Sequence, residues 1–158
     1  MVLVNGEINQ MFKSKGIASR DDYYRRIYAK TASVFAAAAE AGAVAAHAAE
    51  DDIAALATYG REVGSAFQIV DDILDFAGDP AHIGKPVGGD LRQGLVTLPT
   101  LCYMEERPHD ADVKALLNGR MGDAVITARV VEAVRASNAI RASLAEARQF
   151  VARGLSAL

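Results

Sequence analysis

Apolar positions along the chain recur at three- and four-residue intervals, and no segment shows the sustained period-two alternation or Asn-Gly signal that strands and hairpins leave. The pattern predicts an all-α protein built as a helical bundle. Ser19, followed three residues later by Asp22, has the form of a helix start. Tyr24, Ile27, Thr31, Val34, Phe35 and Ala38 then mark one apolar face of a helix expected to end near Gly42. A second long helix is expected to begin around 50–52, where three carboxylates favour a helix N-terminus. It runs through Ile53, Leu56, Val63, Phe67, Val70 and Leu74 to about Phe76. Gly60 and Gly64 fall inside it. A glycine costs roughly 1 kcal/mol in a helix interior, so a pair four residues apart predicts close approach of a neighbouring helix or a ligand.

The interval "AGDPAHIGKPVGGDLRQG" breaks the period and reads as the one long loop, a length that in compact domains is often functional. After it, "LVTLPTLCYMEER" restarts a helix with Thr97 as its cap and Pro99 in its first turn. Shorter helices are expected over 111–117 and 124–136, and a last one from about 138. No internal repeat or linker divides the chain, which reads as a single domain over 1–158.

Composition narrows the function classes. A chain of 158 residues, 51% apolar, is long enough for one domain with a real core. Its net charge is −3 with both signs interspersed, so no basic patch exists to neutralise several phosphates of a nucleic acid. The stretch "TASVFAAAAEAGAVAAHAAE" is the one candidate membrane span. Glu40 and His47 interrupt it and alanine is barely apolar enough to insert, so it reads as a soluble helix. Cys102 is the single cysteine and can form no internal disulfide; with no export signal at the N-terminus, the expected compartment is the cytoplasm.

The candidate chemistry lies in "FQIVDDILDF". On a helix, Gly64, Gln68, Asp71 and Asp75 fall on one stripe with Asp72 beside it, surrounded by Ile69, Val70, Ile73, Leu74 and Phe76. Such a stripe is either a solvated helix face or a cation site, because a carboxylate set among apolar neighbours needs a cation or donors. Short aspartates offering only oxygen suit Mg2+, which is commonly shared between one or two carboxylates and substrate phosphates. In "GKPVGGDLRQG", Gly84, Gly88 and Gly89 would let backbone approach an anion, with Lys85 as a point charge and Asp90 nearby. The order of residues is not that of a P-loop, and no strand precedes it. His47, His82 and His109 share no spacing with one another or with cysteine and read as surface or packing residues.

The segment "GSAFQIVDDILDFAGDPAHIGKPVGGDLRQGLVTLPTL" resembles the trans-type polyprenyl diphosphate synthase family around its second aspartate-rich motif. Upstream, "NGEINQM", with Glu7 and Gln10, resembles the family's Gly-Glu-x-x-Gln segment, and "YYRRIYAKTASVFAAAAEAGA" resembles its Lys-Thr helix. The resemblance implies an isoprenoid synthase type fold around a central cavity, and Mg2+-dependent head-to-tail condensation of an allylic diphosphate with isopentenyl diphosphate. It further implies that Asp71, Asp72 and Asp75 bind the metal, with Asp71 the direct ligand. Lys30 and Lys85 would hold diphosphate oxygens, and Thr31, Phe67 and Gln68 would line the reacting carbons, Phe67 serving in the core as well.

Three departures bear on this expectation. In the family's Gly-Lys-x-Thr stretch a lysine commonly follows the glycine, although members with an apolar residue there also exist; "GLVTLP" carries Leu95, so the resemblance does not imply that secondary diphosphate contact here. The first Asp-Asp-x-x-Asp motif and the basic residues for isopentenyl diphosphate have no counterpart; Asp21 and Asp22 lie in the wrong place and lack the third aspartate. A closing family helix is also not found after "VARGLSAL". The chain therefore reads as the C-terminal portion of such a synthase, inactive alone and completed by an N-terminal half, a partner subunit or self-association. The alternative is a non-catalytic subunit that keeps a diphosphate half-site.

Overall fold

The computed structural model describes residues 19–77, 87–120 and 123–158. Glu7, Gln10 and Lys85 lie outside them. Among the described residues every regular element is helical. In chain order these are α1 (Arg20–Ile27), a π turn (Tyr28–Ala32), α2 (Ser33–Ala45), α3 (Glu50–Ala77), α4 (Gly89–Arg92), α5 (Leu98–Glu106), α6 (Ala111–Ala115), a second π turn (Leu116–Arg120), α7 (Ala124–Ala136) and α8 (Ala139–Leu155).

Ser19 caps α1 as its sequence position predicts, its side chain accepting the Asp22 N–H at 3.1 Å. The helix expected to continue to Gly42 is, however, interrupted at Tyr28–Ala32. A π turn inserts one extra residue, so the buried stripe steps from Tyr23 and Ile27 by five to Ala32 and continues to Ala43. The simple face fails for this reason: Val34 is exposed and Tyr24 only half-buried, while Tyr23 is buried. The shift falls on Lys30 and Thr31.

Helix α3 is the spine, with α2 and α8 packed along it. Its glycines let α2 approach closely: a Cβ on Gly60 would lie 2.5 Å from the Phe35 carbonyl oxygen, and one on Gly64 would lie 2.7 Å from the Ala32 Cα. The buried stripe of α3 carries Ile69, Ile73 and Phe76 into a core shared with Leu91, Leu98, Leu101, Val130, Val131 and Val134. The apolar stripe read from the sequence partly faces outward, since Phe67, Val70 and Leu74 are exposed. Phe67 is therefore not a core residue; it is 57% exposed and packs against the Phe35 ring at 5.4 Å. Tyr28 and Val34 add to the same class of exposed apolar side chains.

Arg20 ties α1 to α5 and α8, pairing with Glu105 at 2.6 Å and with Glu146, which also accepts the Tyr24 hydroxyl. Pro99 sits in the first turn of α5 as expected. Thr97 precedes it in the cap position, but its side chain makes no capping bond. Cys102 is buried and unpaired. No helix among the described residues is long and apolar enough to cross a membrane.

Candidate metal and diphosphate site

Where the first π turn crosses α3, four side chains form a continuous hydrogen-bonded chain. The Thr31 hydroxyl donates to Gln68 Oε1 at 2.6 Å. Gln68 Nε2 donates to Asp72 Oδ1 at 2.9 Å and to Asp71 Oδ2 at 3.2 Å. The buried Tyr23 hydroxyl completes it, donating to Asp72 Oδ2 at 2.8 Å. Burying a carboxylate costs several kcal/mol unless donors satisfy it, and Asp72 obtains one donor on each oxygen. Burial nonetheless pushes its pKa up to about 6, against the lowering effect of Gln68 and Tyr23. Burial first, then the charge of Asp72, pushes the Tyr23 hydroxyl well above the ordinary tyrosine value.

The three aspartates of the motif occupy different environments. Asp71 is exposed, and its one hydrogen bond among the described residues is the longer one from Gln68. Asp72 is the buried member. Asp75 anchors the glycine loop: its oxygens accept the Gly89 N–H at 2.9 Å and the Asp90 N–H at 3.1 Å, and its carbonyl accepts the Gly88 N–H at 2.8 Å. Gly88 is held at φ 71, and a Cβ there would sit 2.3 Å from Val131 Cγ2, so this turn requires glycine on both counts.

These groups surround a polar cavity lined by Arg26, Ile27, Lys30, Gln68, Asp71, Asp72, Asp90, Leu95 and Thr97. The π turn thus places Lys30 on the lining and Thr31 against Gln68, while Phe67 lies outside the lining. Burial raises the Asp90 carboxyl, as does the charge of Asp75, and Lys30 opposes both. The Thr97 hydroxyl is buried and has no hydrogen-bond partner among the described residues.

Tyr23, Arg26 and Thr97 are the members that the sequence pattern does not single out. Arg26 carried a usable signal, because it precedes Lys30 by four residues and a helix brings such positions to one face. Tyr23 did not, since its register against Asp72 depends on the π turn.

The polyprenyl synthetase family model matches residues 1–134. The chain belongs to the polyprenyl synthetase family. It is 40% identical over 136 residues to heptaprenyl diphosphate synthase component 2 of Geobacillus stearothermophilus, covering 86% of this chain and 42% of that protein. With octaprenyl diphosphate synthase of Haemophilus influenzae it is 44% identical over 104 residues, covering 65% of this chain and 32% of the relative. Among solved structures, heptaprenyl diphosphate synthase from Staphylococcus aureus superposes with a TM-score of 0.89 at 29% identity, covering 99% of this chain and 49% of that one. A polyprenyl synthase from Caulobacter crescentus, complexed with calcium and isoprenyl diphosphate, gives 0.87 at 36% identity with the same coverage. The chain spans less than half the length of each of these relatives, and its all-α architecture is that of the family's isoprenoid synthase fold.

Among the described residues no three carboxylate, imidazole or thiol groups converge closely enough to hold a metal between them. Mg2+ keeps several waters and takes one or two carboxylates plus phosphate oxygens, and Asp71 offers an exposed carboxylate at the edge of a cavity that also holds Lys30.

Proposed function

We propose that this chain forms one wall of the active site of a polyprenyl diphosphate synthase, which condenses an allylic diphosphate with isopentenyl diphosphate head to tail in isoprenoid biosynthesis. The observation that carries the reading is the convergence of Lys30, Gln68, Asp71 and Asp72 on one polar cavity, with Thr31 and Tyr23 bonded to Gln68 and Asp72 behind them. Mg2+, when bound with substrate, supplies charge to the departing diphosphate. Asp71 is its direct carboxylate ligand here. Asp72 acts by fixing Gln68, and Asp75 by holding the glycine loop against α3.

Ionising an allylic carbon–oxygen bond leaves a diphosphate anion and a carbon cation. Lys30 stabilises the anion, and Lys85, outside the described residues, joins it as the family resemblance implies. Thr31 and Gln68 lie beside the reacting carbons, where their mutual hydrogen bond holds both in place. Phe67, although exposed in the chain by itself, becomes cavity wall once covered; its ring then faces positive charge and excludes water.

That cover is the second part of the proposal. Two of the similar proteins are named as component 2 of a heptaprenyl diphosphate synthase, and the exposed row of Phe67, Val70 and Leu74 offers an apolar surface beside the site. A partner carrying the opposing half, whether an N-terminal half, a partner subunit or a further copy of the chain, completes the cavity. The compartment is the cytoplasm, consistent with the unpaired, buried Cys102.

Titration of Mg2+ with and without inorganic diphosphate, in wild type and Asp71→Asn, tests the site. Strong mutual enhancement that Asp71→Asn removes is expected; equal affinities in all four titrations would refute the reading. A condensation assay with a complementary N-terminal half, lost again on Asp71→Ala, distinguishes an active-site wall from a non-catalytic diphosphate-binding subunit.

A further inference from the structure

We infer that Arg26 supplies the cation that position 95 lacks, holding a diphosphate oxygen pair from its place beside the Val96 backbone. The inference rests on the diphosphate reading of the cavity given above. Leu95 stands where the family's Gly-Lys-x-Thr stretch commonly carries lysine, so the loop side contributes no charge at that point. Arg26 and Leu95 line the same cavity. Arg26 Nη2 donates to the Val96 carbonyl at 2.7 Å, which pins the guanidinium against the backbone of the residue next to Leu95. The guanidinium carbon also lies 5.5 Å from the centroid of the Tyr23 ring, so two contacts fix its position.

Charge and burial support a ligand-binding role. Arg26 is half-buried, and burial lowers its pKa while Asp72, Tyr23, Asp90 and Asp22 raise it. It nevertheless remains cationic, because arginine does not deprotonate in proteins. Among the described residues it joins no ion pair within 4.0 Å, and its hydrogen bond to Val96 uses one of five N–H donors. Desolvated donors without partners are costly, so a half-buried guanidinium with spare donors beside Lys30 suits an anion that arrives with the substrate. Its planar fork can engage two phosphate oxygens at once, which a lysine cannot do. The buried, unpartnered hydroxyl of Thr97, a residue that lines the same cavity, is a second polar group with bonding capacity to spare.

A bland role also exists for Arg26, as a counter-charge that merely steadies Asp72 and Asp90. Calorimetric titration of inorganic diphosphate with saturating Mg2+ into the 158-residue chain separates the two. Arg26→Gln is expected to weaken binding about tenfold, with helix content by circular dichroism unchanged. Adding Leu95→Lys in that background is expected to recover most of the loss. A lysine at 95 can restore charge to the cavity, but neither the Val96 bond nor the Tyr23 contact, so recovery excludes an effect of those contacts alone; a counter-charge role is excluded by Arg26→Lys, which keeps the charge and should still bind more weakly than wild type. Arg26→Lys keeps the counter-charge and the fold but loses the fork, and should bind about threefold more weakly; it serves should Arg26→Gln not fold. Binding unchanged in both Arg26 variants overturns the inference, as does a loss in Arg26→Gln that Leu95→Lys does not repair. If the wild-type chain shows no saturable, Asp71-dependent binding, the diphosphate reading of the cavity falls and this inference with it. If wild type binds and Asp71→Asn does not while Arg26→Gln matches wild type, only the role of Arg26 is wrong.

Discussion

The wall formed by α1, the first π turn and α3 differs from the packed end formed by α5 to α8 in what its polar groups bond to. At the packed end the helix-start aspartates and Ser143 serve the backbone, and side-chain pairs such as Arg129–Asp112 lie at the exposed surface. Asp110 accepts the Asp112 and Val113 N–H groups, Asp123 accepts those of Val125 and Ile126, and Ser143 donates to the Ala139 carbonyl. Beneath them the core is apolar, with Val130, Val131 and Val134 almost fully buried. At the wall, Thr31, Gln68, Asp72 and Tyr23 bond to one another across long stretches of sequence. Side chain to side chain bonds are a small minority in folded proteins, about 10–15%. A buried run of them joins distant segments rather than terminating helices.

The sharpest way to break this contrast is to separate the adjacent aspartates. Asp71→Asn should reduce Mg2+-dependent diphosphate binding about a hundredfold or more, while shifting the denaturant midpoint little, because Asp71 is exposed. Asp72→Ala should do the reverse in emphasis. It leaves the buried Tyr23 hydroxyl and one Gln68 donor unpaired, at a cost of about 1–3 kcal/mol in stability. Equal stability losses in the two variants would mean that the wall is ordinary packing.

The second expected effect concerns how the wall is brought together. Gly64→Ala places a methyl group against the Ala32 Cα and the Phe35 Cβ, 2.7 and 2.9 Å away, so α2 has to move. Overpacking of this kind costs about 1–3 kcal/mol. Because Ala32 ends the π turn, the same substitution should also weaken diphosphate binding through Lys30 and Thr31. Chemical denaturation alongside the Mg2+–diphosphate titration checks both halves; a destabilised chain with unaltered binding would uncouple the turn from the packing.

Legibility in the sequence follows the same division. The long α3, its two glycines, the helix starts at Ser19 and around Glu50, and the helix pattern of the packed end all follow from period and local capping, which act within a few residues. The aspartate motif was visible because carboxylates stand out against apolar neighbours. What period alone misplaced was orientation: one extra residue at Tyr28–Ala32 rotates everything after Ile27, so the buried stripe runs from Tyr23 and Ile27 to Ala32 and not through Tyr24 and Val34. Phe67, Val70 and Leu74 misled in another way. Their hydrophobicity suits burial, but within this chain nothing covers them among the described residues. The Thr97 cap misled too, since its residue type fitted a helix start while its hydroxyl bonds to no backbone N–H there.

A smaller effect sharpens the packed end. Asp110→Ala removes an N-cap that bonds two backbone groups and the Tyr103 hydroxyl, and should cost about 1 kcal/mol near neutral pH. The Val113 N–H above all, then the Tyr103 hydroxyl and the Asp112 N–H, hold the Asp110 carboxyl below the ordinary aspartate value. A depressed folded value means that this stability is fully present above the unfolded value of about 4, and is lost as pH falls through that value towards the folded one. The gap between wild type and variant in denaturant melts should therefore close in acid. A gap that stayed constant to acid pH would show that the carboxylate's charge is not what caps α6.

The smallest effect lies where α2 gives way to α3, away from both regions. His47 is held at φ 55, the left-handed conformation that side chains disfavour, while its N–H bonds to the Val44 carbonyl and the Ala48 N–H reaches back to that of Ala43. This pattern closes a helix end, and glycine is the residue that adopts it without strain. His47→Gly should relieve a local cost of about 1 kcal/mol, but glycine also gains freedom in the unfolded chain, which offsets part of the gain. A net stabilisation of about 0.5 kcal/mol is expected, readable as a small upward shift in the denaturant midpoint. Because His47 lies outside the cavity lining, diphosphate binding should not change. A loss of stability would show that the exposed imidazole makes a contribution beyond the turn, and altered binding would show that the α2–α3 connection sets the position of the wall.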